Sequence, residues 1–328
     1  MAEDPYIQKN GVLKNILGIK VEEKLDIKES ELTLLRLLDI EKEGPNGPFN
    51  YDRLKATHHY IFQDIYEWAG QPRTISISKG DSNFTPSYLI QHKIEGVFTR
   101  LEKDNFLQSL KPKEFVDKTT EFFGELNQIH PFREGNGRTQ RAFTEALAKQ
   151  AGYNIAFDIA TKERMIDVSI ASHHGDLGGI SRMFGEMIDP EKVEMMRKAL
   201  GFLSQSTIPW NDIYIATTEP GQAYQGSFVG QAGQDFMMRT NQKKIIIGHI
   251  REFQKIPERG ETINFTSQFQ TTLQNKLLEK NYSAKAQEYG LTGEKAAEFG
   301  RRMQQMFPEK SENQSKNLDK DRDQDMER

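Results

Sequence analysis

The run His130, Pro131, Phe132, Arg133, Glu134, Gly135, Asn136, Gly137, Arg138, Thr139, Gln140, Arg141 sets one imidazole and one carboxylate beside two glycines, with arginines at 138 and 141. Chemistry on a phosphate calls for each of these types. Gly135 and Gly137 permit backbone conformations barred to other residues, so successive amide N–H groups can converge on an anion where a helix begins. Arg138 and Arg141 are three apart, on one side of the opening turn, where two guanidinium forks can hold outer phosphates and steady a leaving pyrophosphate. Glu134 offers a hard oxygen ligand, and Mg²⁺ typically takes one or two carboxylates together with phosphate oxygens and water. His130, with an ordinary pKa of about 6.5, is the base of the group, able to accept the proton of an attacking hydroxyl. Phe132 is assigned to the core, as an anchor of the loop.

Such a loop needs a helix on either side. Phe115, Thr119, Phe122, Phe123, Leu126 and Ile129 recur at three- and four-residue spacing and predict a helix that delivers His130 at its C-terminal end. Ala142, Phe143, Ala146 and Leu147 predict the next, with Gly152 where a C-terminal cap belongs. Upstream, Arg73 to Phe84 alternates Ile75 and Ile77 with Thr74, Ser76 and Ser78, then turns at Gly80 and Asp81, which reads as a short hairpin. Trp68 and Tyr66 follow core spacing. Helical patterning runs to residue 205. From 206 to 270 the chain turns to five β-rich runs (212–218, 224–230, 235–240, 243–250, 261–267), which suggest a small all-β barrel of OB-fold type. A helical extension over 271–307 and a disordered tail over 308–328 complete the expected organisation.

HPFREGNGRTQR resembles the signature of the Fic family, HPFx(D/E)GNGRxxR, at every fixed position. The likeness extends upstream through Leu54-Lys55-Ala56-Thr57-His58, Ile65-Tyr66-Glu67-Trp68-Ala69-Gly70, Arg73-Thr74 and Ser78-Lys79-Gly80, and covers roughly residues 30 to 190. The resemblance implies a mainly α-helical Fic fold with a β-hairpin flap, and adenylylation of a Ser, Thr or Tyr hydroxyl on a target protein with ATP and Mg²⁺. His130 would be the base and Glu134 the Mg²⁺ ligand. Gly135, Asn136 and Gly137 would surround the α- and β-phosphates, Arg138, Thr139 and Arg141 would complete the nucleotide site, and Lys79 and Gly80 would come near the nucleotide. Ser76, Ile77, Ser78, Lys79, Gly80 and Asp81 would dock the target as an added extended strand. Many members carry an inhibitory pattern (S/T)xxxE(G/N); no Ser or Thr here is followed four residues later by Glu. Inhibition, if any, is then expected from a separate antitoxin-like protein, and a constitutively open site is the competing reading. A Fic-like domain followed by a small β unit also resembles the Bartonella effectors delivered by type IV secretion, which implies secretion into a host cytosol.

Other classes fare worse. A net charge of -4 provides no basic field for nucleic acid or an anionic membrane. In the β-rich segment Arg239, Lys243, Lys244, Arg251, Lys255 and Arg259 are matched by Asp212, Glu219, Asp235, Glu252, Glu258 and Glu261, so protein docking or spacing is the better role there. The absence of cysteine excludes thiolate catalysis and fits a cytoplasmic setting, and no run is apolar enough to span a bilayer. His58 falls in a helical pattern and reads as a packed residue; His173 and His174, being adjacent, cannot chelate one ion and read as a solvated face. Two rivals stay open: a non-catalytic protein-binding module, and a transferase using another donor such as UTP.

Overall fold

Apolar residues at three- and four-residue spacing must be buried along one helical face, and the first part of the chain folds accordingly. The computed structural model describes residues 4–80, 82–205, 209–274 and 292. Contacts divide the chain into two units: the chain up to Phe157 with Met165–Ile188, and Asp158–Arg164 with the chain from Asp189 onward. The division thus falls earlier than residue 205.

The first unit contains α1 (Glu22–Glu43), α2 (Tyr51–Phe62), a hairpin of β1 (Ser78–Lys79) and β2 (Ser82–Asn83), α3 (Ile90–Lys103), α4 (Pro112–Ile129), α5 (Asn136–Gln150), α6 (Lys162–His173, from Met165 in this unit) and α7 (Gly178–Met187). α4 starts where Pro112, which needs no amide partner, opens the first turn and the Glu114 carboxylate accepts from the Lys111 N–H at 3.1 Å. Its face of Phe115, Thr119, Phe122, Phe123, Leu126 and Ile129 is buried as the spacing requires. α4 packs against α3, α5 and α7, and α2 against α1 and α5, so the flanks of the His130 loop are held on several sides.

The hairpin is shorter than its alternating sequence predicts. Ser78↔Asn83 and Lys79↔Ser82 pair, and the Phe84 N–H donates to the Ile77 carbonyl at 3.4 Å; Ser76 stands outside the ladder, and Asp81 lies outside the described residues. The ladder cannot run on, because the residue opposite Ile75 in this register is Pro86, which has no N–H to donate; the Ile75 carbonyl accepts from the Arg73 guanidinium at 2.7 Å instead.

In the second unit α8 (Pro190–Ser204) is capped by Asp189, whose carboxylate accepts from the Glu191 and Lys192 N–H groups at 3.1 and 3.4 Å. It packs on a sheet of β3 (Ile215–Thr217), β4 (Ala223–Ala232), β5 (Asp235–Thr240), β6 (Ile245–His249) and β7 (Thr262–Thr266). All five expected strands form. The sheet is nevertheless open: the order is β3-β6-β5-β4-β7, with β3 parallel to β6 and the other pairs antiparallel, and β3 and β7 are its two edges. The closed small barrel is therefore corrected to an open five-stranded sheet. A core of Tyr224, Phe228, Phe236, Met238, Ile246 and Ile263 on one face, with α8 against the sheet, removes enough apolar surface from water without closure. The expected extension over 271–307 and tail over 308–328 lie, beyond Gln274 and apart from Thr292, outside the described residues.

Candidate active site

His130 caps the C-terminus of α4 in the left-handed conformation, φ 49° and ψ 62°, with its own N–H on the Leu126 carbonyl. For a non-glycine residue that conformation costs about 1–2 kcal/mol, and the surroundings hold it. Arg73, only 2% exposed, donates Nε to the His130 carbonyl at 2.8 Å, Nη2 to the Ile129 carbonyl at 3.2 Å and to the Thr85 carbonyl, and Nη1 to Ile75. Its backbone N–H adds a bond to the Pro131 carbonyl at 2.9 Å. The last carbonyls of a helix lack intrahelical donors, and a guanidinium answers both that lack and the negative end of the dipole. Desolvation lowers the Arg73 pKa to about 10, which leaves it charged at neutral pH.

The His130 ring stacks on Phe84 with centroids 3.9 Å apart and planes at 17°. Its Nδ1 lies 3.3 Å from the Asn127 carbonyl, so Nδ1 carries the hydrogen and Nε2 keeps its lone pair. Burial, then the positive charges of Arg73 and Lys79 and the neighbouring His173, push its pKa down to about 4. The imidazole is thus almost wholly neutral at pH 7, more so than the ordinary value predicts. His173 corrects the solvated-face reading: it is half-buried and stands edge-on to Phe84 at 5.7 Å, while His174 is exposed.

From Pro131 to Gly135 the loop is fixed from inside. The Asn136 side chain accepts from the Phe132 N–H at 2.9 Å and donates to the Phe132 carbonyl at 2.8 Å. Asn136 is buried, so its side chain shapes the loop rather than reaching outward. Thr139 is turned inward as well, its hydroxyl on the Gly135 carbonyl at 3.0 Å. A side-chain contact from Asn136 or Thr139 to a nucleotide is therefore not available in this arrangement. Phe132 is buried as expected. Gly135, φ +82°, is required twice over: the conformation is left-handed, and a Cβ would stand 2.2 Å from the Phe62 ring. Past it, the first turn of α5 presents N–H groups at Asn136, Gly137 and Arg138 that no intrahelical carbonyl serves, the positive end of a helix dipole.

The two arginines separate in role. Arg138 donates to the Glu29 carboxylate and, at 3.1 Å, to the Thr33 hydroxyl, and lies over the Phe62 ring at 4.8 Å. Tyr66 donates its hydroxyl to the other Glu29 oxygen. Arg141 has no hydrogen-bond or ion-pair partner among the described residues, and burial together with Arg138 lowers its pKa. Glu134 is 44% exposed at its side chain; Oε1 accepts from the Gly135 N–H at 2.8 Å and lies 3.7 Å from Arg138, leaving Oε2 without a hydrogen bond among the described residues. Arg133 pairs with Asp4 at 2.9 Å. Ser76, Ser78, Lys79 and Gly80 are exposed and Ile77 half-buried, on the hairpin whose far end is Phe84. Arg73, Phe84, Glu29 and Asp4 are contributions that sequence reasoning missed as site residues; only Arg73 and Phe84 left a signal, standing at the two ends of the flap.

A dipole-bearing helix start, an arginine unpaired among the described residues and a half-buried neutral histidine come together in one loop, and residues 48–148 match the Fic/DOC family. The chain belongs to that family. A protein adenylyltransferase of Bartonella henselae is 32% identical over 287 residues, 82% of this chain and 53% of that protein. The type IV secretion system effector protein BepA superposes with a TM-score of 0.74 at 31% identity, over 81% of this chain and 96% of BepA. The N-terminal Fic domain of a VirB-translocated Bep effector from Bartonella quintana, solved with bound ADP, gives 0.52 at 33% identity, over 58% and 97% of the two chains. The chain spans 37% and 53% of the length of two curated Bartonella relatives that it matches. Among the described residues no helix is long and apolar enough to cross a membrane.

Proposed function

We infer that the chain transfers AMP from ATP to a Ser, Thr or Tyr hydroxyl of a target protein. The observation that carries this is the neutral His130, its Nε2 lone pair uncommitted, one short loop away from free helix amides and an unpaired Arg141. The adenylyltransferase names of its relatives and the ADP held by a structural neighbour support it.

In this reading His130 Nε2 accepts the hydroxyl proton as the oxygen attacks the α-phosphorus. The bond from the α-phosphorus to the bridging oxygen breaks, and pyrophosphate departs with its charge on Arg141 and the α5 amides. Glu134 suits Mg²⁺: an exposed carboxylate with an uncommitted oxygen, where the ion's other ligands would be phosphates and water. There Mg²⁺ would offset the charge that develops on the phosphates. Lys79 and Gly80 extend over the nucleotide, and an extended target segment adds to the hairpin with backbone hydrogen bonds. Arg141, without a carboxylate partner among the described residues, is where a separate inhibitory protein would place one. The likeness to BepA supports translocation into a host cell, with the β unit as docking or spacing element.

Incubating the protein and Mg²⁺ with a lysate and α-labelled ATP, γ-labelled ATP or labelled UTP tests this. Label should pass only from α-labelled ATP, and His130→Ala should abolish it. Equal labelling by the variant would remove His130 as base, and transfer from γ-labelled ATP or from UTP would replace AMP as the group moved.

A further inference from the structure

His58 is a buried imidazole for which the transfer chemistry above has no use. It is 0% exposed in α2, its ring lying between Phe132 at 3.9 Å and Phe62 at 4.7 Å, with planes at 24° and 26°. Packing alone would be met by any ring of that size. Both nitrogens, however, are committed to backbone. The Gly70 N–H donates to Nδ1 at 2.8 Å, so Nδ1 bears a lone pair and the hydrogen sits on Nε2, which donates to the Glu134 carbonyl at 2.9 Å.

Those two backbone groups belong to the halves of the candidate site. The Glu134 carbonyl lies in the peptide unit that joins the carboxylate-bearing residue to Gly135, the N-cap of α5. Gly70, φ +83°, closes the turn that leads three residues later to Arg73, which holds the His130 carbonyl from behind. The other loop anchors described above, Arg73 N–H on Pro131, the Asn136 clamp on Phe132, Arg133 on Asp4 and the Thr139 hydroxyl on Gly135, do not touch the Glu134 carbonyl.

We propose that His58 is a positioning residue for the transfer reaction: Nε2–H on the Glu134 carbonyl sets the peptide plane from which the Glu134 carboxylate and the first α5 amides project, while Nδ1 registers the turn carrying Arg73. This rests on the site reading given under Proposed function. Donors behind a liganding group commonly matter tenfold to a hundredfold to metal affinity or activity. Leucine at 58 would fill the slot and orient nothing; glutamine can restore the donor to Glu134.

Full-chain protein is used throughout, with ¹⁵N-histidine spectra at pH 7, calorimetric titration of Mg-ADP, and kcat and KM for Mg-ATP in AMP transfer. The variants are His58→Leu, His58→Gln and, as a control for lost stability, Ile61→Val on the same helix, all measured where circular dichroism shows them folded. We expect the Nε2–H tautomer for His58, Mg-ADP binding at least tenfold weaker in His58→Leu with partial recovery in His58→Gln, and kcat reduced roughly 10–100-fold in His58→Leu but unchanged in Ile61→Val. An Nδ1–H tautomer, or His58→Leu matching Ile61→Val in Mg-ADP affinity and kcat, overturns the proposal. If wild type moves no AMP, the transfer reading fails by itself, and the tautomer and Mg-ADP affinities still decide the role of His58. If His58→Leu does not fold, His58→Phe, which keeps a ring between Phe132 and Phe62 and loses both hydrogen bonds, takes its place with the same expected and overturning results.

Discussion

Replacing Arg73 with lysine keeps the charge and nearly the length, yet should damage both stability and catalysis. Three guanidinium nitrogens serve four carbonyls, of Ile75, Thr85, Ile129 and His130, at a residue 2% exposed. An ammonium is a single point with three donors and cannot span that set, and two of the four carbonyls are expected to lose their partner. At about 1.5 kcal/mol for each hydrogen bond to a charged group, the loss is about 3 kcal/mol, or roughly 6–12 °C in Tm for a unit of this size. The catalytic effect is separate. Two of the four carbonyls belong to the end of α4, and without them His130 gives up a left-handed conformation that costs about 1–2 kcal/mol to hold. The imidazole then leaves its place against Phe84, and misplacement by about 1 Å can cost on the order of a hundredfold in rate. The assay is AMP transfer by Arg73→Lys at a temperature where the variant is folded, with Tm from circular dichroism. A variant with wild-type Tm and kcat would refute the reasoning.

Four further outcomes follow from the contacts of the site. Because burial and nearby cations hold His130 near pKa 4, below its unfolded value, kcat/KM should stay flat from pH 8 to about 5 and fall with an acid midpoint near 4; a midpoint near 6.5 would contradict this. The sign for stability agrees: the neutral form favoured by folding is fully populated above pH 6.5, so urea-measured stability should decline as pH drops through that value, with His58, held near 3, adding to the decline. Arg141→Ala should raise KM for Mg-ATP about a hundredfold with Tm nearly unchanged, since only ligand bonds worth roughly 3 kcal/mol are lost. Arg138→Ala should instead cost about 3–5 kcal/mol of stability by stranding the buried Glu29 carboxylate; thermal melts and steady-state kinetics on the two variants would expose a reversed pattern.

The chemistry of the loop from His130 to Arg141 was legible because all its parts lie within one segment, where spacing alone brings helix end, turn and helix start together. The helices on either side and the five strands were legible for a like reason, since periodicity is a local property. What escaped was set by long-range meetings. Arg73 reaches His130 across 57 residues, His58 reaches Glu134 across 76, and Arg138 reaches Glu29 across 109. Their effects decide which arginine is left unpaired among the described residues, which nitrogen of each histidine keeps the lone pair, and where Asn136 and Thr139 point. The barrel expectation failed on the same ground: strand content is written along the chain, but whether β3 meets β7 depends on pairing between distant edges. Sequence by itself determined the family, the reactive residue types and the order of elements. Only the tertiary structure decided protonation, partners and orientation, because these depend on desolvation and on contacts that no local spacing contains.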